Sequence, residues 1–292
     1  MTDGYKALRH GAGWLDLSAR GRFVVRGRDR ARYLHNVTSN EIQKMTPGAA
    51  CYAFVLTPQG RIQADLDLFC FPDHFLIDTE PELREKMPQL ILKYKVADQV
   101  ELEDVTAKTR AIGIEGPDAP ALREAFANQP GLTVVGATET GQPGFRVIGA
   151  AEDLPTTVPG VTAATPEDAR AVRIENGKPR YGEDIRETSL PQETQQMHAV
   201  SFTKGCYVGQ EIVERIRAQG HVNKLLVRLD METEEPVAAG TRLTSGGSEA
   251  GEVTSAVYSP GSGRVAALAM VRAAYAKSGA CLQAGVINAR IV

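Results

Sequence analysis

One segment of the chain is distinctive enough to argue from: Lys204-Gly205-Cys206-Tyr207-Val208-Gly209-Gln210-Glu211. A helical pattern of apolar residues follows it over residues 212–216. A neighbouring lysine and the start of a helix both favour a thiolate, and flanking glycine lets the backbone expose the sulfur. The segment therefore predicts a reactive Cys206. The alternative is a buried, inert thiol, which is the common state of free cysteine, although the polar neighbours argue against burial.

The three other cysteines show no such pattern. Cys70 lies in the apolar run 68–71 and is predicted to belong to the core, while Cys51 and Cys281 have no distinctive neighbours. No C-x-x-C pair occurs and no histidines have ligand spacing, so no metal site is predicted. Free thiols, together with the absence of a signal-peptide pattern at Met1–Lys6 and of a long apolar run, predict a cytoplasmic protein that does not enter the membrane.

Length and charge restrict the class of protein further. The 292 residues, 42% of them hydrophobic, suffice for two or three domains with buried cores. The net charge is −3, so strong general binding to nucleic acid is not expected, because that requires an excess of basic residues. The sequence also lacks the P-loop, G-x-S-x-G and H-E-x-x-H motifs.

Two segments share the pattern of a strand, a Gly-x-Asp turn and a helix. The first turn is Gly27–Asp29, after the β-prone run 22–26, and the second is Gly116–Asp118, after the run 111–115. The pattern is typical of an internal repeat whose two units pair in one sheet. Two unrelated strand-to-helix turns explain it equally well.

The segment between these units predicts an α+β subdomain. Residues 51–56 and 61–71 form a hairpin around the turn Thr57–Gly60, and strands are expected at 74–78 and 100–105, with an amphipathic helix over Glu82–Lys95. Asp65 and Asp67 share one face of the second hairpin strand because side chains alternate along a strand. Paired carboxylates are suited to acid–base chemistry, but a solvent-facing pair has the same pattern.

The second half of the chain contains a helix, a charged stretch and an all-β region. Thr165 is a predicted N-cap for a helix over 166–173, and short strands separated by turns from Lys224 onward predict a compact barrel or sandwich. Residues 173–184 combine acidic, basic and aromatic side chains, which can bind an aminopyrimidine ring or form a solvated loop. His198 is a candidate base for Cys206, or else a surface histidine.

With these residues the chain resembles the YgfZ family of folate-binding proteins, whose signature is similar to the segment Lys204–Glu211. That family includes mitochondrial relatives that assist iron–sulfur cluster assembly. It shares its fold with the T-protein, the aminomethyltransferase of the glycine cleavage system, which lacks the Gly-Cys pair found here. The resemblance covers nearly the whole chain through the further segments Leu15–Ser18, Gly27–Ala31, Gly60–Leu66, Gly116–Ala119, Arg173–Gly177, Tyr181–Ile185, Gly251–Ser255 and Ser259–Pro260.

The resemblance implies an α+β protein, a three-part T-protein-like ring around a channel for tetrahydrofolate. Residues 1–48 and 108–218 would form the folate-binding core, 49–107 an inserted hairpin–helix subdomain, and 219–292 a C-terminal β-barrel. The implied catalytic residues are Cys206, Lys204 and Asp65. The implied folate-binding residues are Glu175 at the pterin edge, Tyr181, Asp65 and Gln210.

The function implied is that of a tetrahydrofolate-binding accessory protein for iron–sulfur cluster assembly or repair, affecting tRNA modification through its client enzymes. Its partners would be the folate and the assembly proteins or clients, and Cys206 would stand near the channel on a loop supported by Lys204 and Gln210. A folate-dependent aminomethyltransferase is one alternative, and a non-catalytic folate-binding scaffold is another. The sequence does not decide whether the protein is an enzyme; if it is, it is a one-carbon transferase.

Overall fold

The structure, a computed structural model, describes residues 1–292. The helices are α1 (Asp3–His10), α2 (Arg30–Val37), α3 (Met87–Leu92), α4 (Arg123–Ala127), α5 (Pro166–Glu175) and α6 (Gln210–Gln219). The strands are β1 (Gly13–Asp16), β2 (Gly21–Arg26), β3 (Ala50–Leu56), β4 (Ile62–Cys70), β5 (Phe75–Thr79), β6 (Glu101–Asp104), β7 (Thr109–Glu115), β8 (Thr133–Val135), β9 (Gly144–Ala150), β10 (Thr162–Ala163), β11 (Lys224–Met231), β12 (Arg242–Ser245), β13 (Ser248–Ser259), β14 (Arg264–Arg272), β15 (Cys281–Ala284) and β16 (Ile287–Ile291). Not one of the helices has the length and apolar character needed to cross a bilayer.

The strands form two five-stranded sheets and a closed barrel. The first sheet has the order β10-β1-β7-β9-β8 and the second the order β3-β4-β5-β2-β6. The two strand–Gly-x-Asp–helix units therefore lie in different sheets, and the prediction that they pair in one sheet is wrong. Their turns nevertheless share a geometry, because Gly27 and Gly116 have φ of +108° and +129°, and a Cβ at either would approach a backbone oxygen to 2.0 and 2.3 Å. Local sequence sets the turn, whereas the neighbouring strands determine the sheet.

The predicted boundary at residues 48/49 cuts through the second sheet. Strand β2 pairs with both β5 and β6, with Phe23 opposite Ile77 and Asp104. One cluster of 28 buried apolar residues spans the boundary, from Phe23 to Val213. Residues 49–107 are thus not a separate subdomain, since β2 completes the sheet of the β3–β4 hairpin and α2 packs in the same core.

The predicted helix over Glu82–Lys95 is much shorter in the structure. A 3₁₀ turn, Pro81–Leu83, precedes the six-residue helix α3. Pro88 has no N–H to donate and restricts the residue before it, so a helix can begin next to Pro88 but cannot run through it. Most of the predicted apolar face is retained, because Leu83, Met87, Leu90 and Ile91 are all buried, whereas Tyr94, also expected on that face, is exposed.

The C-terminal all-β region is a barrel, closed in the order β11-β14-β13-β12-β15-β16. Fifteen buried apolar residues fill it, many of them alanine and valine, which suit a narrow interior. The predicted barrel is therefore confirmed. Two hydroxyl groups at its surface, Thr254 Oγ1 and Ser255 Oγ, each donate a hydrogen bond of 2.7 Å to Asp184 Oδ1, which ties the barrel to the loop after α5.

Helix α5 begins as predicted, whereas α1 was not predicted. Thr165 caps α5 by accepting a hydrogen bond from the Asp168 N–H at 3.1 Å. Helix α1 packs on α5, and its Tyr5 Oη donates to Glu175 Oε1 at 2.7 Å. With only eight residues and a polar exposed face, α1 depends on this tertiary contact.

Candidate functional site

The site is an inner cavity of about 120 Å³ between the two sheets and the loop that follows α5. Only two of its fifteen lining residues are hydrophobic. The charged and aromatic members are Arg20, Tyr52, Asp65, Asp67, Glu80, Glu139, Arg146, Arg173, Lys178, Arg180 and His198. Since charged side chains are rarely buried without a partner, a chamber of this composition is a candidate for ligand binding.

Two buried arginines organise the wall. Arg20 Nε lies 2.5 Å from Asp78 Oδ1, and its Nη1 contacts Glu80 and Glu139. Arg146, only 1% exposed, reaches Asp78 at 3.0 Å and Asp67 at 3.2 Å. Buried ions are tolerated only when paired in this way. Arg146 Nε and Asp78 Oδ2 are nevertheless buried without a hydrogen-bond partner, so the network retains unsatisfied polar atoms.

Asp65 is the residue most suited to acid–base chemistry. Its Oδ2 accepts a hydrogen bond of 2.7 Å from Tyr52 Oη. Burial, and next the charge of Glu80, raise the pKa of Asp65 to about 7. A carboxyl group that titrates near neutral pH can both give and take a proton. Asp65 and Asp67 both line the inner cavity, so the side of β4 that they share is directed into the cavity and not into bulk solvent.

The other carboxylates of the wall are shifted in opposite directions. Burial raises the pKa of Glu80, with Arg20 opposing that effect. For Glu139, burial also favours the protonated form, but Arg20, Lys178 and Arg146 outweigh it and lower the pKa. Neighbouring carboxyl groups with divergent pKa values are typical of functional sites.

His198, the candidate base for Cys206, lines this cavity, and no hydrogen bond joins its ring to Cys206. Its ring stacks on Tyr52, with centroids 5.4 Å apart and an interplanar angle of 26°. Burial, followed by the charge of Lys178, lowers the pKa of His198. The stack holds the Tyr52 ring, whose hydroxyl group binds Asp65.

A second, larger cavity of about 620 Å³ adjoins the first. The two share five wall residues, Arg20, Glu80, Glu139, Arg173 and Arg180. The outer cavity is partly apolar through Leu15, Leu17 and Ala169. Its volume lies within the range of small-molecule sites. The pair of cavities therefore suits an elongated ligand with a polar head and a less polar body.

Comparison with known proteins agrees with this architecture. The GCVT N-terminal domain matches residues 1–133, and the glycine cleavage T-protein C-terminal barrel domain matches residues 224–292. The crystal structure of aminomethyltransferase T from Bartonella henselae superimposes with a TM-score of 0.88, covering 99% of this chain and 87% of that one at 20% identity. This chain has the T-protein fold.

Curated relatives with similar sequences carry the name aminomethyltransferase. The one from Rippkaea orientalis is 26% identical over 97% of this chain and 84% of its own length. Those from Herpetosiphon aurantiacus and Geobacillus thermodenitrificans are 29% and 28% identical, each over at least 94% of this chain. The T-protein fold and its two domain types are thus shown, and the narrower YgfZ assignment stays a prediction.

Within this T-protein fold, Lys204 is a clamp and not an exposed catalytic group. Its Nζ donates to three backbone carbonyl groups near the end of α2, those of His35, Thr38 and Asn40, the last two at 2.7 Å. Burial lowers the pKa of Lys204 to about 8. Because all three N–H donors are engaged, Lys204 fixes the loop, as the resemblance implied, and is not free to act on a substrate.

Cys206 is exposed, as predicted, but lies outside the cavities. It sits on the loop four residues before α6, and neither cavity includes it in its wall. The structure does not bring Cys206 and Asp65 into one site. Gln210 is the first residue of α6, and its side chain makes no hydrogen bond to the loop.

Glu175 and Tyr181 do not line either cavity. Glu175 bonds to Tyr5 and lies 3.5 Å from Arg9 Nε, so α1 engages the carboxylate that the resemblance assigned to a pterin. Tyr181 is buried in the main core and donates to the Gln63 carbonyl at 2.8 Å. Of the five predicted site residues besides Cys206, only Asp65 lines the inner cavity.

Several cavity residues were missed from the sequence. Arg20, Tyr52, Glu80, Glu139 and Arg146 come from separate elements. One signal was available: Arg146 interrupts the apolar strand β9, and a charge at an inward-facing strand position is unusual. The others follow from tertiary contacts only.

Proposed function

We propose that this protein binds a reduced folate in the paired cavities and acts on its one-carbon unit as an aminomethyltransferase-type enzyme. The observation that carries the proposal is Asp65, a buried carboxyl group with its pKa near 7 in the wall of a polar chamber. The T-protein fold and the names of the similar proteins support the same class. Tetrahydrofolate, when bound, carries the one-carbon unit on its ring nitrogens.

The donors and acceptors of the inner chamber fit a pterin. Its amino and ring N–H groups need carboxylate acceptors, which Asp67 and Glu139 offer, and its carbonyl needs a donor such as Arg146, whose Nε is buried and unpartnered. The aromatic pair Tyr52 and His198 can pack on a planar ring. Asp65 would hold or release a proton beside the ligand nitrogens. The partly apolar outer cavity would take the rest of the folate.

Calorimetry with tetrahydrofolate tests the binding, and ammonia release tests the reaction. Asp65→Asn keeps the shape and a hydrogen-bond acceptor for Tyr52, so we expect binding within a few-fold of wild type. We expect ammonia release from an aminomethyl-loaded carrier to fall about 100-fold or more, the usual effect of losing an acid–base group. Glu175→Gln is the matched control and should leave both nearly unchanged. Loss of binding in that control would indicate that Glu175 binds the pterin. Full activity in Asp65→Asn would show that Asp65 is not the acid–base group.

A second candidate function rests on Cys206. Its exposed thiol stands on a loop clamped by Lys204, outside the cavities, which suits contact with another protein. This supports an accessory role in iron–sulfur cluster assembly or repair, with effects on tRNA-modifying client enzymes. Cys206→Ser should then fail to restore iron–sulfur enzyme activity in a cell lacking the protein, while Cys281→Ser should succeed. Equal rescue by both variants would remove the thiol from the function and leave a scaffold that binds folate.

A further inference from the structure

Residues 138–141, in the connection between β8 and β9, form a loop that contributes to the wall of both cavities. In this wall loop, Thr138 lines the inner cavity and Glu139 lines both cavities. Glu139 Oε2 lies 3.2 Å from Arg20 Nη1 and 3.9 Å from Arg146 Nη2. The position of the wall-loop backbone therefore determines where the Glu139 carboxylate lies between the two arginines.

The wall loop makes no backbone–backbone hydrogen bonds. Side chains from the end of α5 and the loop after it bind two of its carbonyl groups. Lys178 Nζ donates to the Thr138 carbonyl, and Asn176 Nδ2 donates to the Thr140 carbonyl at 2.9 Å. Because Thr140 is fully buried, its N–H group also needs a partner.

That partner is Glu115, the last residue of β7. Its Oε2 accepts hydrogen bonds from the Thr140 N–H at 2.8 Å and from the Thr140 hydroxyl group, and its Oε1 accepts from the Glu139 N–H. Glu115 is fully buried and lines neither cavity. Burial raises the pKa of Glu115, while these donors oppose that effect. A single carboxylate thus binds three donors of the wall loop.

Two glycines leave space for the Glu115 side chain. A Cβ on Gly144, which pairs with Glu115 in the sheet, would lie 3.1 Å from Glu115 Cγ. A Cβ on Gly113 would lie 3.1 Å from Glu115 Oε1. Both distances are shorter than ordinary van der Waals contacts, so a larger residue at either position would displace the carboxylate from the wall loop.

We propose that Glu115 is a positioning residue for the folate site: it holds the backbone of Glu139 and Thr140, and so keeps the Glu139 carboxylate where it can accept a hydrogen bond from the pterin. The inference rests on the proposed folate binding and deepens it, because it assigns part of the affinity to a residue outside both cavities. Glu115 does not touch the ligand and acts through Glu139.

Amide hydrogen exchange, measured by NMR without any ligand, tests whether Glu115 holds the wall loop. The N–H groups of Glu139 and Thr140 bind Glu115, whereas those of Thr138 and Gly141 donate no hydrogen bond and serve as references. We expect the bound pair to exchange about 100-fold more slowly than the references in the wild type, and less than about ten-fold more slowly in Glu115→Gln, which has one acceptor oxygen fewer. Equal rates in the wild type would overturn the proposal even if the variant failed to fold.

A double-mutant cycle on tetrahydrofolate affinity, measured by calorimetry, tests whether Glu115 acts through Glu139. We expect Glu115→Gln and Glu139→Gln each to raise the Kd about ten-fold, the usual effect of losing a hydrogen bond to a charged group. In a chain that already carries Glu139→Gln, adding Glu115→Gln should change the Kd less than about two-fold. Multiplied losses, about 100-fold in the double variant, would overturn the proposal, because they would show that Glu115 acts independently of Glu139.

A milder variant is available for the same cycle. Thr140→Val removes only the hydroxyl donor to Glu115 and keeps both N–H groups. It should raise the Kd about three-fold alone and have no further effect together with Glu139→Gln. A loss of the same size in both backgrounds would contradict the proposal.

Asp29→Asn is the matched control. Asp29 Oδ2 also accepts a backbone N–H from a distant segment, that of Gln99 at 2.8 Å, but Asp29 lines neither cavity. The Kd of this variant should stay within about two-fold of the wild type. A wild-type protein that binds no tetrahydrofolate would refute the proposed function and, with it, the role of Glu115 in affinity. Normal wild-type binding with a multiplicative cycle would refute the role of Glu115 alone, so the two failures are distinguishable.

Discussion

The burial that suits Asp65 to acid–base chemistry also makes its ionised form destabilising. Its carboxyl group lies in a chamber where burial and the nearby Glu80 disfavour the ionised form. The sequence predicted the residue, because Asp65 and Asp67 alternate with apolar side chains along β4. It did not reveal the environment of the face, because that depends on Arg20 and Arg146, which arrive from distant segments. Individual residue types could thus be predicted, whereas their electrostatic setting could not.

The raised pKa of Asp65 predicts a specific pH dependence of folding. The folded value of about 7 lies above the value of roughly 3.9 expected for an unfolded chain. Between these values the folded state binds more protons than the unfolded state, so the free energy of unfolding falls as the pH rises from about 4 to about 7. Asp65→Asn should lose this contribution, which amounts to at most ~4 kcal/mol. Urea midpoints at pH 5 and pH 8 measure it, and parallel changes in both proteins would contradict the shift.

At the scale of elements, the turn of the β3–β4 hairpin and the start of α6 fit together through glycine. Gly209, the residue before α6, has φ of +85°, and a Cβ there would lie 2.6 Å from the Thr57 carbonyl oxygen. A Cβ on Gly60 would lie 3.0 Å from the side chain of Ile212. Sequence patterns predicted both the turn and the helix. They did not predict this contact, because local patterns describe backbone conformation and not the packing of distant segments.

Alanine at Gly209 should therefore cost more than alanine at another left-handed glycine. We expect Gly209→Ala to lower the free energy of unfolding by about 2–4 kcal/mol, from backbone strain plus the clash with Thr57. Gly220, at the other end of α6, has φ of +74° and nothing within 4 Å, so Gly220→Ala should cost only about 1 kcal/mol. Denaturant titration of the two variants gives the comparison. Equal losses of unfolding free energy in the two variants would mean that the hairpin turn at Thr57 can move away from the added Cβ without destabilising the protein.

At the scale of the whole molecule, the sequence indicated the T-protein fold and the closed barrel, and the structure confirms both. It did not predict the contacts of the residues assigned to folate, because position along a family pattern does not say which partner a side chain takes. Glu175 is engaged by Tyr5 of α1, a helix that local pattern alone did not reveal. The cavity depends on how the two sheets and the barrel are held together, which only tertiary structure describes.

Asp184 connects the C-terminal barrel to helix α5 and so to the cavity wall. Besides accepting from Thr254 and Ser255 of the barrel, it bonds to Arg173 Nη1 at 2.7 Å. Asp184→Ala would leave Arg173, which is 3% exposed and lines both cavities, with only Glu183 as a charged partner.

Breaking a buried ion pair from one side usually costs about 3–5 kcal/mol, so we expect a loss of this size from Asp184→Ala, accompanied by weaker tetrahydrofolate binding. Asp230→Ala is a suitable control, because its contact with Arg264 is exposed and 3.9 Å long, which predicts a change below about 1 kcal/mol. Thermal unfolding and calorimetry on both variants measure the two effects. A large loss of stability with unchanged folate affinity would show that the contacts of Asp184 stabilise the fold without affecting the cavity. It would also indicate that Arg173 keeps its position through Glu183 alone.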